Sequence, residues 1–228
     1  MLFRSNDYSD KQTNTTPEFP PFPIAVPRVT NASSARVVGL EIETLWQTPI
    51  EGLQIGLGYT WLDSEFEDFI DPTRSSGRIA IAGGCSKIEN LGALPHCFID
   101  LSGNSIEAAP ENTLVATLSY ARSLPGAEWG LFGELNTRYQ DELFTSQDNF
   151  TKLDSYWLTD LRLGIENDRW RLIFYVDNLF DDDHFKVYGG SPDFGPRIIG
   201  NAGAVGSFET TGLLPEPRTF GVRIGFRY

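Results

Sequence analysis

The chain ends on Pro217-Arg-Thr-Phe-Gly-Val-Arg-Ile-Gly-Phe-Arg-Tyr228, and this stretch decides the fold. Every second residue in it is apolar or aromatic, namely Phe220, Val222, Ile224, Phe226 and Tyr228. The residues between them are Thr, Gly or Arg. A period of two places successive side chains on opposite faces of a β-strand. Chain ends usually fray and are polar, so an end with one apolar face predicts a strand that is paired in a sheet.

The same alternation recurs through the chain, whereas helical periodicity is nearly absent. Six further segments are predicted as strands: Arg36–Gln47, Leu53–Asp63, Thr113–Ala121, Trp129–Gln140, Trp157–Glu166 and Trp170–Phe180. A weaker eighth strand is predicted around Tyr8–Thr16. No run approaches the ~18 consecutive apolar residues of a membrane-spanning helix. The sequence therefore predicts an all-β protein.

Composition and charge narrow the class of protein. Of 228 residues, 40% are hydrophobic and 21% charged, which suits a packed or membrane-embedded chain rather than a disordered one. The formal net charge is −13, and nucleic-acid surfaces need basic patches, so no nucleic-acid partner is predicted.

The connections between the predicted strands alternate in length. Short turns follow Trp46, Arg122 and Glu166. The long connections, rich in Gly, Pro, Asn, Ser and Asp, are residues 17–35, 64–111, 145–154 and 183–214. In an antiparallel up-and-down meander, this alternation places every short turn at one end of the sheet and every long loop at the other.

Three features favour a transmembrane β-barrel over a soluble sandwich. A ten-residue strand tilted near 45° spans roughly 24 Å, close to the apolar band of outer-membrane barrels. Such barrels also have short periplasmic turns and long outer loops. The aromatic residues form two girdles, with Trp46, Trp129, Trp170 and Tyr228 beside the short turns and Tyr59, Trp61, Tyr139 and Trp157 toward the long loops.

In such a barrel the polar phase of each strand faces the lumen. The predicted lumen-facing residues are Glu41, Glu43, Gln54, Glu134, Asn136, Arg138, Gln140, Asp160, Arg162, Glu166, Arg171, Asp177, Arg223 and Arg227. Both signs of charge are present, so cross-strand pairs are expected. Two roles stay open for this set: a network that satisfies itself or contacts a plug, and a lining that meets solute or a moving plug.

The remaining chemistry-bearing residues predict no catalytic, cofactor or metal site. Cys85 and Cys97 suggest a loop-closing disulfide in an oxidising compartment, with two free thiols as the alternative. The acidic residues at 63–71 and 181–183 lack the spacing of a calcium loop, which indicates solvated loop ends. A weak divalent-cation contact with lipopolysaccharide or ligand is the alternative. No nucleophile motif or phosphate-binding glycine loop is present, so no enzyme is predicted.

Several stretches, in their order and spacing, resemble TonB-dependent outer-membrane receptors. They are Val38-Gly-Leu-Glu-Ile-Glu43, Pro49-Ile-Glu-Gly-Leu53, Gly58-Tyr-Thr-Trp-Leu-Asp-Ser-Glu-Phe66, Pro110-Glu-Asn-Thr113, Val176-Asp-Asn-Leu-Phe-Asp-Asp182 and the terminal strand. The resemblance covers nearly the whole chain, from about Asp7 to Tyr228.

The resemblance implies a barrel of about 22 strands plugged by an N-terminal domain, of which residues 1–228 would be the last eight strands. The plug, the early strands, the TonB-contacting segment and the signal peptide have no counterpart in the sequence. It further implies uptake of a scarce solute such as an iron chelate, in the outer membrane of a Gram-negative bacterium. Outer-membrane lipid, lipopolysaccharide, the missing barrel and plug portion, and the TonB complex would be partners. The terminal strand would be the signal bound by the barrel-assembly machinery.

Two alternatives remain at this stage. A complete eight-stranded outer-membrane barrel with a structural or adhesive role is possible, because eight is an even number that can close. A soluble β-sandwich binding module is the other alternative, and it predicts a monomer that needs no detergent.

Overall fold

A computed structural model describes residues 1–15, 18–19, 24–25, 28–73, 79, 82–91, 94–185, 187–192, 208–213 and 215–228. Eight strands form one antiparallel sheet: β1 (Leu2–Thr15), β2 (Arg28–Gln47), β3 (Leu53–Asp68), β4 (Asn112–Ser123), β5 (Gly130–Gln140), β6 (Tyr156–Glu166), β7 (Trp170–Asp177) and β8 (Thr219–Phe226). Their order in the sheet is their order in the chain. The predicted all-β, antiparallel up-and-down architecture is confirmed.

The long connections carry small sheets of their own. In the connection from β3 to β4, Ile70–Thr73, Leu94–Asp100 and Lys87–Leu91 form a three-stranded sheet. The other small pairs are Glu18–Phe19 with Ile24–Ala25, Leu143–Phe144 with Lys152–Leu153, and Val187–Pro192 with Phe208–Leu213. A search of the described residues finds no helix with the length and apolar character needed to cross a membrane.

The strand bounds correct the sequence prediction in four places. β1 begins at Leu2 and β2 at Arg28, so both strands are longer than their alternation indicated. The strand predicted to Phe180 ends at Asp177, because Asn178 takes a positive φ of 52° that interrupts an extended chain. Trp129 precedes β5 rather than belonging to it. The region 64–111, predicted as a long connection, contains the end of β3 and the three-stranded sheet.

The register of the sheet separates an apolar face from a polar one. Trp170, Leu172, Phe174 and Val176 of β7 lie opposite Phe226, Ile224, Val222 and Phe220 of β8. On the other face, one row across β3 to β6 joins Gln54, Ser119, Glu134 and Arg162 in successive cross-strand pairs. Because alternate residues point to opposite faces, a single register keeps the apolar phases of all strands together.

The sheet is open at both edges. Among the described residues, β1 pairs only with β2, and β8 pairs only with β7. The barrel is therefore not closed by these eight strands in the structure.

The turn between β2 and β3 depends on Gly52. Its φ is +82°, and a Cβ built there would lie 2.0 Å from the carbonyl oxygen of Ala121 on β4. The same glycine accepts a hydrogen bond from the Ala121 N–H at 2.9 Å. The turn therefore needs both a left-handed backbone and close approach to the neighbouring strand.

We expect Gly52→Ala to lower the free energy of unfolding by about 2 kcal/mol or more, through the positive φ and the clash with Ala121. Urea unfolding of the chain folded in detergent micelles measures this change. Gly58→Ala is the matched control, because no atom lies within 4 Å of its added Cβ. Equal stability of the two variants would contradict the account.

Candidate functional site

The polar face of the sheet is the candidate functional site. Cross-strand pairing and alternation place all the predicted lumen residues within strands on this one face: Glu41, Glu43, Gln54, Glu134, Asn136, Arg138, Gln140, Asp160, Arg162, Glu166, Arg171, Asp177 and Arg223. Arg227 lies just beyond the end of β8. The pairing shows that these residues share a face, and their exposure to a lumen stays a prediction.

The side of this face toward β8 holds paired charges. Arg162 forms an ion pair with Asp177 at 2.7 Å, and Arg171 forms one with Glu166 at 3.4 Å. The Arg171 guanidinium also lies over the ring of Phe132, 4.8 Å from its centroid. Each exposed ion pair contributes little to the free energy of unfolding. This network therefore serves mainly to hold the orientation of the side chains.

The side toward β2 differs in charge. Glu41 and Glu43 make no ion pair with any residue that the structure describes, and they border a groove of about 690 Å³. Gly56, Gly58 and the hydroxyl-bearing Thr60 also line this groove. Arg223, at the far side of the sheet, lies over Tyr175 with 5.8 Å between its guanidinium carbon and the ring centroid. The polar face thus has an acidic margin on β2 and a cation on β8.

On the apolar face, two tyrosines near the long loops, Tyr59 and Tyr139, share one hydrogen-bond network. The Tyr59 hydroxyl donates to Asn112 Oδ1 at 2.7 Å, and Asn112 Nδ2 donates to Asp141 Oδ2 at 2.9 Å. Tyr139 donates to Asp141 Oδ1 at 3.0 Å, and its ring lies 4.8 Å from that of Trp157. The rings meet the apolar surface while their polar atoms are satisfied, as expected of aromatic residues at a membrane interface.

Asp141 is the acceptor at the centre of this network and lies just beyond β5. The hydrogen bond from Asn112 holds the pKa of the Asp141 carboxyl below its ordinary value, against the opposing effect of burial. Hydrogen bonds from Tyr139 and from the Glu142 N–H act in the same direction as that from Asn112.

The connection from β3 to β4 folds against the polar face. Phe69, Ile99 and Leu101 of this connection pack in a buried cluster with Ala35 of β2 and Phe66 of β3. Ala35 and Phe66 are cross-strand partners. Each lies an even number of residues from the polar-face positions of its own strand, so both belong to the polar face. Cys85 and Cys97 are joined by a disulfide within the connection.

Sequence reasoning missed this packed connection. Its apolar residues are short runs separated by turns and carry no long alternation that would identify them as strands. The concentration of Phe66, Phe69, Phe98, Ile99 and Leu101 on both sides of a Gly- and Ser-rich stretch was the available signal.

A second missed feature is the node at Asn178, which is 3% exposed. Its side-chain amide donates to the carbonyls of Asp182 and Glu216 at 2.9 and 3.1 Å, and its Oδ1 accepts from the Asp182 N–H at 2.9 Å. The adjacent Asp181 accepts from the Arg218 N–H at 2.9 Å. The node therefore joins the end of β7 to the chain entering β8, across the connection of residues 178–218.

The acidic segments do not assemble into a metal site among the described residues, where no three His, Cys, Asp or Glu side chains are grouped as ligands. Glu65 and Asp68 belong to β3. Asp182 contacts His184 Nδ1, whose ring stacks on Tyr156 with 3.8 Å between centroids. Burial raises the pKa of Asp182, but hydrogen bonds from His184 outweigh it and leave that pKa below its ordinary value.

Comparison with known proteins agrees with this architecture. The family described as "TonB dependent receptor-like, beta-barrel" matches residues 2–179. The siderophore receptor PiuA of Acinetobacter baumannii is similar, with 16% identity and a TM-score of 0.59 over 98% of this chain and 25% of that chain. The ferric preacinetobactin receptor BauA of the same species has 14% identity and a TM-score of 0.54, over 98% of this chain and 26% of that one. The ferric-catecholate import receptor Fiu of E. coli K12 has 16% identity and a TM-score of 0.54, over 98% and 24%.

The chain belongs to the TonB-dependent receptor-like β-barrel family. Members of this family are receptors and transporters of the outer membrane and not enzymes. The alternative of a soluble sandwich is therefore wrong. The chain spans about a quarter of the length of the solved receptors that it matches.

The lowered pKa of Asp141 predicts a loss of stability in acid. A carboxyl whose pKa is lower in the folded state stabilises that state fully above the unfolded value, about 3.9. The contribution is lost as the pH falls from about 4 through the folded pKa. We expect urea unfolding in micelles to show a smaller fall in stability between pH 5 and pH 2.5 for Asp141→Asn than for the unchanged chain. Parallel pH profiles would contradict the role of this carboxylate.

Proposed function

We propose that the chain supplies eight strands to the wall of a TonB-dependent outer-membrane receptor that takes up an iron chelate. One observation carries the proposal: a single register places a continuous apolar face opposite a charged, hydrogen-bonding face on the seven antiparallel strands β2–β8. In a membrane barrel the first face contacts lipid and the second faces a wet lumen. A soluble sheet would bury the apolar face against another layer.

The orientation follows from the ends of the sheet. The short turns lie at the periplasmic end and the long connections outside, where the small sheets and the Cys85–Cys97 disulfide meet the external medium. Glu41, Glu43, Arg138, Asp160 and Arg223 then line the lumen. The long connections 64–111 and 183–214, part of which lies outside the described residues, contribute to the outer mouth that meets the solute.

The two open edges define what completes the wall. Lipid offers no hydrogen-bonding groups, so the free backbone edges of β1 and β8 need further strands. We propose that residues 1–228 are a partial barrel domain, and that the rest of the barrel and a plug come from the remainder of the receptor. The plug transmits energy from the TonB complex, while lipid and lipopolysaccharide surround the wall. The β8 strand, with Phe220, Val222, Ile224, Phe226 and Tyr228, is the segment that binds the barrel-assembly machinery.

The solute class rests on the similar receptors, whose names specify a siderophore, ferric preacinetobactin and ferric catecholate. An iron chelate is anionic or polar and too large for passive diffusion through narrow pores, which suits a wide lumen with mixed charge. A complete eight-stranded barrel with a structural or adhesive role is the competing function, and it predicts direct pairing of β1 with β8.

The functional test is uptake in the source bacterium under iron limitation. Deleting the codons for residues 1–228 is expected to abolish uptake of at least one class of radiolabelled ferric chelate, such as catecholates or hydroxamates. Complementation restores this uptake, and a proton ionophore abolishes it again because the transport is energised. Unchanged uptake of every chelate tested would overturn the proposed solute class.

The orientation of the faces is tested with two matched leucines. Leu57 lies on the apolar face of β3, and Leu45 lies on the polar face of β2, opposite Gly56. We expect Leu57→Arg to destabilise the protein folded in lipid vesicles by about 2–4 kcal/mol, because an arginine on the lipid face loses its hydration. Leu45→Arg, with Glu43 two residues away, should cost much less. A larger loss for Leu45→Arg would reverse the assigned faces.

A further inference from the structure

Two of the outer connections are joined to each other. We call the described residues of 69–111 the first loop, residues 141–155 the second loop, and both together the two-loop cap. We propose that the two-loop cap is one preformed body, in which a change in either loop is transmitted to the other through Asn149. This inference does not depend on which solute the receptor takes up.

The first loop is fixed to the sheet by its own core. Phe69, Ile99 and Leu101 are almost wholly buried against Ala35 and Phe66, which belong to the strands themselves. The Leu101 N–H donates to the Phe69 carbonyl at 2.9 Å. A packed core of this kind has few alternative arrangements, so the loop behaves as an extension of the wall.

A charged contact holds the first loop to a third strand. Lys11 of β1 pairs with Glu107 at 3.2 Å, and its ammonium lies over the ring of Phe66, 4.9 Å from the centroid. Both side chains of the ion pair are about three-quarters buried, with 22% and 27% exposed. The first loop is therefore fixed to β1 as well as to β2 and β3.

Asn149 joins the second loop to the first. Its side-chain Oδ1 accepts from the Ser105 N–H at 2.8 Å, and its Nδ2 donates to the Ser105 carbonyl at 2.9 Å. The amide of Asn149 thus pairs with the backbone of Ser105 as a neighbouring strand would. Asn149 has a φ of 52°, a left-handed conformation that asparagine tolerates better than most residues.

Two further hydrogen bonds cross between the loops on either side of this pair. Asn104 Nδ2 donates to the Gln147 carbonyl at 2.8 Å, and the Ala108 N–H donates to the Phe144 carbonyl at 2.8 Å. The first loop supplies the donor in both of these hydrogen bonds, and the second loop supplies the acceptor carbonyl. Of these four crossing hydrogen bonds, Asn149 makes two, at the middle of a line that runs from Asn104 to Ala108.

The disulfide gives a way to perturb one loop and observe the other. Cys85 and Cys97 both lie in the first loop, far in sequence from the second. A small dithiol reductant transfers two electrons and two protons to the disulfide, which becomes two thiols while the dithiol closes to its own cyclic disulfide. If the cap is one body, this loss of constraint in the first loop also reaches the second.

The test is amide hydrogen exchange of the whole receptor that contains this chain, purified in detergent micelles, before and after treatment with dithiothreitol. The reporters in the second loop are the Thr145 N–H, bonded to the Thr151 carbonyl at 2.9 Å, and the Asn149 N–H, bonded to the Ser146 carbonyl at 3.1 Å. We expect reduction to speed exchange about fivefold or more at both reporters and in residues 94–101. A second loop that is unaffected by reduction, or that shows no protection at the start, would overturn the proposal.

Asn149→Gly isolates the coupling, because glycine keeps the positive φ and removes the carboxamide. In this variant, reduction should still speed exchange in the first loop but have a much smaller effect in the second, because, of the four crossing hydrogen bonds, only those to the Gln147 and Phe144 carbonyls remain. Asn167→Gly is the control, since Asn167 caps a short turn at the opposite end of the sheet through the N–H groups of Arg169 and Trp170. A paired Cys85→Ser and Cys97→Ser variant should reproduce reduction without a reductant. An effect of reduction on the second loop that is as large in Asn149→Gly as in the unchanged protein would show that Asn149 does not carry it.

Discussion

The backbone hydrogen-bond ladder between neighbouring strands is the constraint on which the rest of the structure depends. In hydrocarbon an unpaired N–H or C=O has no water to bond, so spanning strands must pair along their whole length. That pairing also sets the register, and the register holds Phe174 beside Val222 and Glu134 beside Arg162. A slip of one residue between any two strands would bring charged side chains onto the apolar face and apolar ones onto the polar face.

The polar face shows how this constraint is used. Side chains on it are free to vary without disturbing the ladder, so it can carry ion pairs such as Arg162–Asp177 and acids such as Glu43 that pair with no cation among the described residues. On the apolar face the polar atoms of Tyr59 and Tyr139 are instead satisfied by Asn112 and Asp141, at the level where the strands end. The chemistry of the protein is thus concentrated on one face and at one end.

The outer end is more than a set of connections. The first loop extends the wall of β2 and β3 over the polar face, and the node at Asn178 brings the chain back to β8. In the proposed receptor, these features shape this side of the mouth and the surfaces that a solute meets there. By contrast, the two edges of this sheet are free, so in the proposed receptor the lumen is enclosed only together with the other strands of the barrel.

Much of this could be predicted from the alternation alone. The period of two identified seven strands of the sheet, their order and their two phases, because the pleat imposes the same spacing in every strand, but it indicated only part of β1, around Tyr8–Thr16. It also placed Glu41, Glu134, Arg162 and Arg223 on one face. It misjudged the ends of strands, where Asn178 turns the chain by adopting a positive φ that no periodicity encodes.

The sequence by itself therefore determined the class of structure, the membrane-type patterning and the family, since these depend on local spacing and on the order of short motifs. Only the tertiary structure decided which charges meet, that Ala35 and Phe66 form the base of the first loop, and that Asn149 pairs with Ser105. These contacts join residues far apart in the chain. Their partners are chosen by packing and by hydrogen-bond geometry in three dimensions, which leave no periodic trace in the order of the residues.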